Sequence, residues 1–398
     1  MEWKKVKIGD ICSKICSGGT PKSSNIAYYG GNIPWLNTKE VNFNRIYSTE
    51  QTITQEGLDN SAAKWIDVNS IIIAMYGATA GKVAITKIPL TTNQACCNLT
   101  IDNNIADYNF VYYAIVNNYE ALSSLANGSA QQNLNSLVIK EFPLFLPPLP
   151  YQRRISSILS DYDSLIENYQ RQISLLEESA KRIYKEWFVD FKFPGVEMAE
   201  NGLPKGWQKK KLGEICESIT RTSNDLKEQL IFLNTGDVEN GEILHSNYSP
   251  TTEMPGQAKK LIKKNDILYS EIRPINRHFA YVNFDCEDYI VSTKLMVIKA
   301  KDGINSRRLY QFLTFDDTIK ALQIEAESRS GTFPQIRFEN VSKLHLIIGD
   351  ERIEKEYDCV LSDFFTKIEN MKTQIRLLRQ NRDILLPRLM NGEIEIEG

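Results

Sequence analysis

The sequence has no long apolar run. Its longest, "IIIAM" from Ile71 and "FPLFLPPLP" from Phe142, fall far short of the roughly 20 residues a membrane helix requires. The opening "MEWKKVKIGD" carries charges and no apolar stretch, so a signal peptide is not expected and a cytoplasmic location is. Histidine is scarce: His245, His278 and His345 lie far from one another and from the cysteines. The seven cysteines form no C-x-x-C, with Cys12 and Cys16 four apart and Cys96 beside Cys97. Neither a zinc site nor a disulfide framework is expected from that spacing; reduced thiols are. There is no basic excess either. Lys and Arg total 47 against 50 Asp and Glu, a net charge of -3, which argues against a self-sufficient nucleic-acid binder.

Catalytic motifs are missing as well. "YGATAGKVA" around Gly77 invites a phosphate-loop reading, but three residues separate the glycines and Val83 follows Lys82. The phosphate loop needs four residues there and a Ser or Thr after the Lys. A glycine-rich turn between two strands is the better account. No Asn-Pro-Pro-aromatic or Asp-Pro-Pro-aromatic run marks an amino-methyltransferase centre, and no G-x-G-x-x-G, H-E-x-x-H or G-x-S-x-G occurs. A binding protein is favoured over an enzyme, with no metal and no cofactor held by this chain.

What is present is a duplication. "LSDYDSLIENYQRQISLL" from Leu159 returns without a gap as "LSDFFTKIENMKTQIRLL" from Leu361. "WKKVKIGDIC" at Trp3 returns as "WQKKKLGEIC" at Trp207, and "KWIDVNSIII" at Lys64 more loosely as "KLIKKNDILY" at Lys260. "NGSAQQN" at Asn127 has a faint echo in "RSGTFPQIR" at Arg329. A repeat of about two hundred residues is a whole domain with an appendage, since solenoid repeats are far shorter.

The appendage is a helix. Apolar residues fall at Ile155, Leu159, Tyr162, Ile166, Tyr169, Ile173, Leu176, Ala180, Ile183 and Trp187, in steps of four and three. That is a heptad seam, the pattern of a coiled coil. The second copy reads Tyr357, Leu361, Phe364, Ile368, Met371, Ile375, Leu378, is interrupted at Arg382, and resumes at Leu385 before Pro387, which is expected to end the helix. One seam buries best against the other, and the exposed heptad flanks suggest that the chain needs partners to stay soluble.

The large remainders read as mixed α/β. Short β-rich runs ("SIIIAMYG", "KVAITKI", "NDILYSEI", "YIVSTKLMVIKA") are divided by Gly, Pro and Asn clusters. "FVYYAIVNNYEALSSLAN" from Phe110 and "RRLYQFLTFDDTIKALQIEA" from Arg307 read as helices. The expected order is a globular domain (1–150), a helix (151–192), a linker (193–206), a second globular domain (207–350), and a helix with its tail (351–398). The fold class is α/β (α+β): two similar mixed domains with an internal pseudo-twofold repeat, and two long helices forming an antiparallel coiled coil. Basic residues gather locally at Lys209 to Lys211, Lys259 with Lys260, Lys263 with Lys264, and Arg273 with Arg277. Such patches in a neutral chain suit DNA if a partner shares the electrostatic work. Two alike domains with different loops at a fixed spacing suit two short DNA sites that must face the protein in phase.

These features resemble one family over nearly the full length: the specificity subunits of type I restriction-modification systems. The resemblance rests on the paired openings at Trp3 and Trp207, "GGTPKSS" at Gly18, "GNIPWLNTKEV" at Gly31, "LFLPPLPYQRRISSILS" at Leu144, "GLPKGW" at Gly202 and "RDILLPRLMNGEI" at Arg382. It implies two target recognition domains, each reading half of a bipartite double-stranded DNA sequence. It implies helices that set the spacing and dock two methyltransferase subunits, which bind S-adenosylmethionine and methylate adenine. It also implies a motor-nuclease subunit that joins for cleavage. The second domain lacks "GGTP" and "IPWL" equivalents and instead has "RTSNDLKEQLIFLNTGDV" from Arg221, so an asymmetric target is expected.

Base edges are read by Arg, Lys, Asn and Gln, phosphates by Lys, Arg, hydroxyls and backbone N–H groups. In the first domain the candidates are Thr79 and Lys82, Asn93 and Gln94, and Ser129, Gln131, Gln132 and Asn133, with Lys22, Ser23 and Ser24 for phosphate. In the second they are Arg273, Asn276 and Arg277, then Lys294, then Arg329, Ser330, Thr332 and Gln335. Taken singly, each is also what a solvated or capping side chain looks like; the groups carry the reading. The alternative is a coiled-coil scaffold whose paired domains bind proteins. The Lys, Arg, Asn and Gln content of the loops favours DNA.

Overall fold

The structure is a computed structural model that describes residues 3–126, 133–193, 195–222, 226–329 and 332–394. The chain forms two compact units, Met1–Gln170 with Lys372–Gly398, and Arg171–Met371. The division falls within both long helices, Leu149–Phe188 and Glu351–Met390.

The first unit is built around the strand Ile71–Ala74, every residue of which is buried. It lies in the middle of a five-stranded sheet, flanked by Cys96–Ile101 and Val83–Thr86, with Cys12–Ser17 and Asn44–Ile46 at the edges. Strand side chains alternate between faces, and here both faces are covered. Ile71 and Ile73 join Ile85, Leu99 and the helix residues Phe110 and Val111 in one cluster. Ile72 and Ala74 join Leu36, Ile46 and Leu90 in another, beneath a smaller sheet. Full burial on both sides explains the unbroken apolar run. Each fully buried isoleucine contributes roughly 1.5–3 kcal/mol.

The second unit repeats this plan. Ile267–Ser270 is fully buried in a four-stranded sheet between Leu295–Ala300 and Phe279–Tyr281. Ile267 and Tyr269 face the helices, and Leu268 faces a second four-stranded sheet that holds Gln229–Leu233. In both units the second sheet contains a parallel pair, Trp35↔Thr91 in the three-stranded sheet of the first and Phe232↔Ile290 in the four-stranded sheet of the second. The tryptophan openings form edge pairs of the same kind, Lys4–Lys7 with Pro143–Leu146 and Gln208–Lys211 with His345–Ile348.

The expected missing equivalent of "IPWL" is corrected. Gln229–Leu233 occupies the place of Tyr29–Leu36, and "LNT" follows in both. Asn37 caps a short turn closed by Glu40, and Asn234 caps one closed by Asp237. The strand survives because Leu36 and Leu233 are both fully buried, while Pro34 and Trp35 give way to other residues. Three expected elements are each divided in two. The run from Phe110 is Tyr108–Asn117 and Tyr119–Ser124, and the run from Arg307 is Ser306–Thr314 and Asp316–Arg329. "YIVSTKLMVIKA" is two strands joined by a turn at Thr293 and Lys294.

Within each unit the two long helices pair antiparallel. In the first, Ile155 and Leu159 share a cluster with Leu386, Leu389 and Met390. In the second, Ala180, Tyr184 and Phe188 pack with Ile353, Tyr357 and Leu361, and the Phe188 and Tyr357 rings meet edge-on at 4.8 Å. Of the expected seam, Ile155, Leu159, Ile166, Ile173, Leu361, Ile368, Met371 and Ile375 are buried. Tyr162, Tyr169, Leu176, Phe364 and Leu378 are half-buried.

Three details of the helices differ from the expectation. Burial favours Tyr184 and Phe188 over Ile183 and Trp187, and Leu386 over Leu385, as the 3.6-residue turn drifts off a strict heptad. Arg382 is an ion pair: its Nη1 lies 2.6 Å from Asp163 Oδ1, and Tyr113 Oη donates to the same carboxylate at 2.5 Å. Pro387 does not end the helix, which runs to Met390. A proline near a helix end forfeits one backbone bond without stopping the turn. The stop is Gly392 at φ +70°, whose N–H bonds to Leu389 O at 3.3 Å.

Candidate nucleic-acid interface

In the first unit, the chain leaves the buried strand Ile71–Ala74 and is caught on both sides. Met75 N–H donates to Ala95 O at 2.8 Å, and Leu134 N–H donates to Met75 O at 2.8 Å. Tyr76 and Asn133 form an isolated bridge beyond them. Three loops are thus fastened to one strand end by main-chain groups alone. A fourth segment joins them: Gly19 N–H donates to Thr92 O at 2.9 Å, and Trp35 Nε1 donates to Gly19 O at 3.0 Å. A Cβ on Gly18 would lie 2.2 Å from Thr92 O and 2.3 Å from Asn93 O, so only glycine permits this approach.

This brings Thr79, Lys82, Asn93, Gln94 and Asn133 to one end of the unit. Lys22, Ser23 and Ser24 follow Gly18 and Gly19 on an exposed turn. "YGATAGK" is the strand-to-strand turn, a short helical turn Gly77–Thr79 with Gly77 at φ +73° and Gly81 at φ +82°. Gln94 and Asn133 are exposed, and Thr79 is half-buried. Lys82 Nζ donates to Asn42 Oδ1 at 2.8 Å and stands 5.9 Å over the Phe43 ring. Asn93 has an internal task, since its Oδ1 accepts from Ala95 N–H at 3.2 Å and shapes the turn. Ser129, Gln131 and Gln132 lie outside the described residues. Tyr76, 44% exposed and bridged to Asn133, was not among the sequence candidates. Its place at the end of an apolar strand run, before glycine, was the available signal.

The second unit repeats the clamp. Glu271 N–H donates to Lys294 O at 2.9 Å, Ile336 N–H donates to Glu271 O at 2.8 Å, and Ile272 bridges Gln335. Asn133 and Gln335, one in each of the two faintly similar segments, therefore hold equivalent places. Arg273, Asn276, Arg277, Lys294, Thr332 and Gln335 come together here. Arg273 and Asn276 are exposed and bracket the buried Pro274. Arg273 N–H donates to Pro334 O at 3.1 Å, and its Nη2 reaches Thr332 O only at 3.4 Å. Arg277 Nη2 pairs with Asp316 at 2.8 Å, and that hydrogen bond holds the Asp316 carboxyl below its ordinary range. Lys294 Nζ lies 3.3 Å from Gln335 Oε1 and 3.6 Å from Glu271. Ser330 lies outside the described residues, as does the side chain of Arg329.

One basic residue read as surface charge is internal. Lys260 is 8% exposed and donates to Thr293 O and Leu295 O at 2.9 Å each, fixing the turn that carries Lys294. Burial lowers its pKa. The arrangement in each unit is a rigid strand end carrying polar and basic loops of unlike sequence. Among the described residues no group of His, Cys, Asp and Glu could hold a metal ion. Among them, too, no helix is long and apolar enough to cross a membrane.

A family model described as the type I restriction modification DNA specificity domain matches residues 1–178 and again 204–380. The specificity subunit of the type I restriction enzyme MjaIX from Methanocaldococcus jannaschii is 28% identical over 414 aligned positions, which span 100% of this chain and 94% of that one. The HindI specificity subunit of Haemophilus influenzae is 43% identical over 171 residues, 42% of this chain and 37% of that one. A crystal structure of a type I restriction-modification S subunit from M. genitalium has the same fold, with a TM-score of 0.62 at 16% identity over 98% of this chain and 96% of that one.

Proposed function

The chain belongs to the type I restriction-modification DNA specificity family, and we propose that each of its two units reads one half of a bipartite, asymmetric DNA target. It is a DNA-specificity subunit, without a catalytic role of its own. The observation that carries the two-site reading is the clamp found in both units. The same main-chain bonds hold three loops at one strand end, while the side chains on those loops differ. A common frame with unlike polar and basic loops suits two readings of one ligand type, since base edges are distinguished by side chains.

In this reading the chain works in the cytoplasm with methyltransferase and nuclease-translocase subunits. Two methyltransferase subunits dock on the long helices. In the first unit Leu165 and Ile384 stand 45% and 60% exposed on those helices, apolar contacts for such a partner. S-adenosylmethionine binds to the methyltransferase, not to this chain. The modest net charge fits a DNA clamp whose remaining positive field the partners supply.

The test is a map of methylated adenines in cells expressing this chain with its cognate methyltransferase, against cells with the methyltransferase alone. A two-part motif with a fixed gap, present only with this chain, is the expected result. No chain-dependent motif from an active partner shown to bind it would overturn the proposal.

A further inference from the structure

The turn that leaves the central strand is equivalent in the two units, and its ends differ in one informative way. In the first unit it reads "GATAG" from Gly77, and in the second "RPINR" from Arg273. Both are short helical turns, Gly77–Thr79 and Pro274–Asn276, and both close with a backbone bond from the fourth residue to the first. Both are bracketed by left-handed residues four apart. Gly77 and Gly81 have φ +73° and +82°, and Arg273 and Arg277 have φ +41° and +57°.

Left-handed backbone suits glycine and strains any residue with a Cβ. The first unit uses glycine at both ends, and a Cβ on Gly77 would meet nothing within 4 Å. The backbone angle is therefore the whole reason for glycine there. The second unit tolerates the strain twice, with arginine. The Arg273 backbone is held by bonds to Pro334 and Asn276 that glycine would make equally well, so nothing described in the unit calls for the arginine side chain. Its side chain is exposed, and the 3.4 Å approach to Thr332 O is a weak contact. Pro274, not the arginine, anchors the turn in the interior. Arg277 differs, because Asp316 already holds it. Strained backbone clusters at sites that hold a ligand.

Resting on the DNA-specificity reading above, we propose that Arg273 reads a guanine in the half-site of the second unit, with Arg277 positioning the turn through Asp316. A guanidinium offers two parallel N–H groups, which match guanine O6 and N7 in the major groove. The glycines give the first unit's turn no such group at either end, so its half-site is read by other side chains.

The experiment maps methylated adenines made by the full complex carrying wild-type chain, Arg273→Gly or Arg273→Lys. Glycine relieves the backbone, so loss of function in that variant is not loss of fold. The expected result is relaxation at one G·C pair of one half-site, by roughly 10- to 100-fold in preference, with the other half unchanged. Lysine relaxes the same position, since it keeps the charge and loses the fork. An unchanged motif, or relaxation at an A·T pair or in both halves, overturns the inference. So does a uniform fall in methylation with the motif intact and rescue by lysine, the mark of a phosphate contact. If the wild-type chain itself yields no motif, the DNA reading fails and takes this inference with it, before any variant is tested.

Discussion

Arg273→Gly should stabilise the chain while removing a recognition residue. An L residue in the left-handed region costs roughly 1–2 kcal/mol. Glycine returns about 0.5–1 kcal/mol of that through its greater freedom in the unfolded chain. The substitution also removes the hydrogen bond from Nη2 to Thr332 O, which at 3.4 Å on an exposed side chain contributes little. The net gain is about 0.5–1 kcal/mol. For a unit of this size that raises the midpoint of its unfolding by roughly 1–3 °C. Calorimetry on the full chain reads it, and Arg273→Ala is the control. Alanine removes the same guanidinium but keeps the strain, so the glycine variant should exceed it by about 1 kcal/mol. The mirror change, Gly77→Ala, should cost about 1 kcal/mol, all of it torsional, since the space around a Cβ is open. If the glycine variant is no more stable than the alanine variant, the backbone reasoning is wrong. If both keep normal recognition, the side-chain reasoning is wrong.

Gly18→Ala should cost about 1–3 kcal/mol, because its Cβ would lie 2.2 Å from Thr92 O. Methylation mapping should then lose one half-site preference and keep the other. Arg308→Met should cost about 3–5 kcal/mol in urea unfolding, since it leaves Glu354 half-buried without its partner and removes the cation from the Phe188 ring. Arg308→Met with Glu354→Leu should recover most of the loss, and no recovery would sink the ion-pair account. Burial pushes the thiols of Cys12, Cys97 and Cys216 up to about 12, whereas Cys359 is exposed on the second long helix. Native alkylation at neutral pH should therefore label Cys359 first. Protection of Cys359 by bound methyltransferase would support docking on that helix, and unaltered labelling in the complex would count against docking at that point.

The sequence made the frame legible wherever one physical demand repeats. The heptad steps, the buried "SIIIAM" strand and the tryptophan openings each satisfy the same packing need in both copies, so they appear twice as similar residues. Legibility failed where main-chain groups do the work. The clamp through Met75 and Glu271 uses backbone atoms, which leave no trace in residue type. The equivalence of Gly77 with Arg273 was hidden for the same reason, as φ is shared and chemistry is not. Residue type also left out partners within the chain: Asn93 accepts from Ala95 N–H in its turn, and Lys82 donates to Asn42 at the surface. Arg382 looked like a flaw in a seam because its partner, Asp163, comes from the other helix.

The main-chain clamp bears on how one frame can host different specificities. A loop held by its own side chains cannot change them without losing its place. In each unit the loops are held chiefly by backbone N–H and C=O groups at the end of a buried strand, which every residue except proline can supply. The side chains beyond the clamp then answer only to the ligand. Thr79 can stand in one unit where Ile275 stands in the other, and glycine where arginine stands, with the strand end unmoved. The cost of each choice is local: a strained φ at Arg273, or a bare backbone at Gly77. Stability is carried by the two-faced strand and the helices, several residues away from the loop tips. Exchanging Gly77–Gly81 for "RPINR" should therefore leave the core intact and alter one half-site alone, and global unfolding of that graft would show that the loops and the frame are not separable.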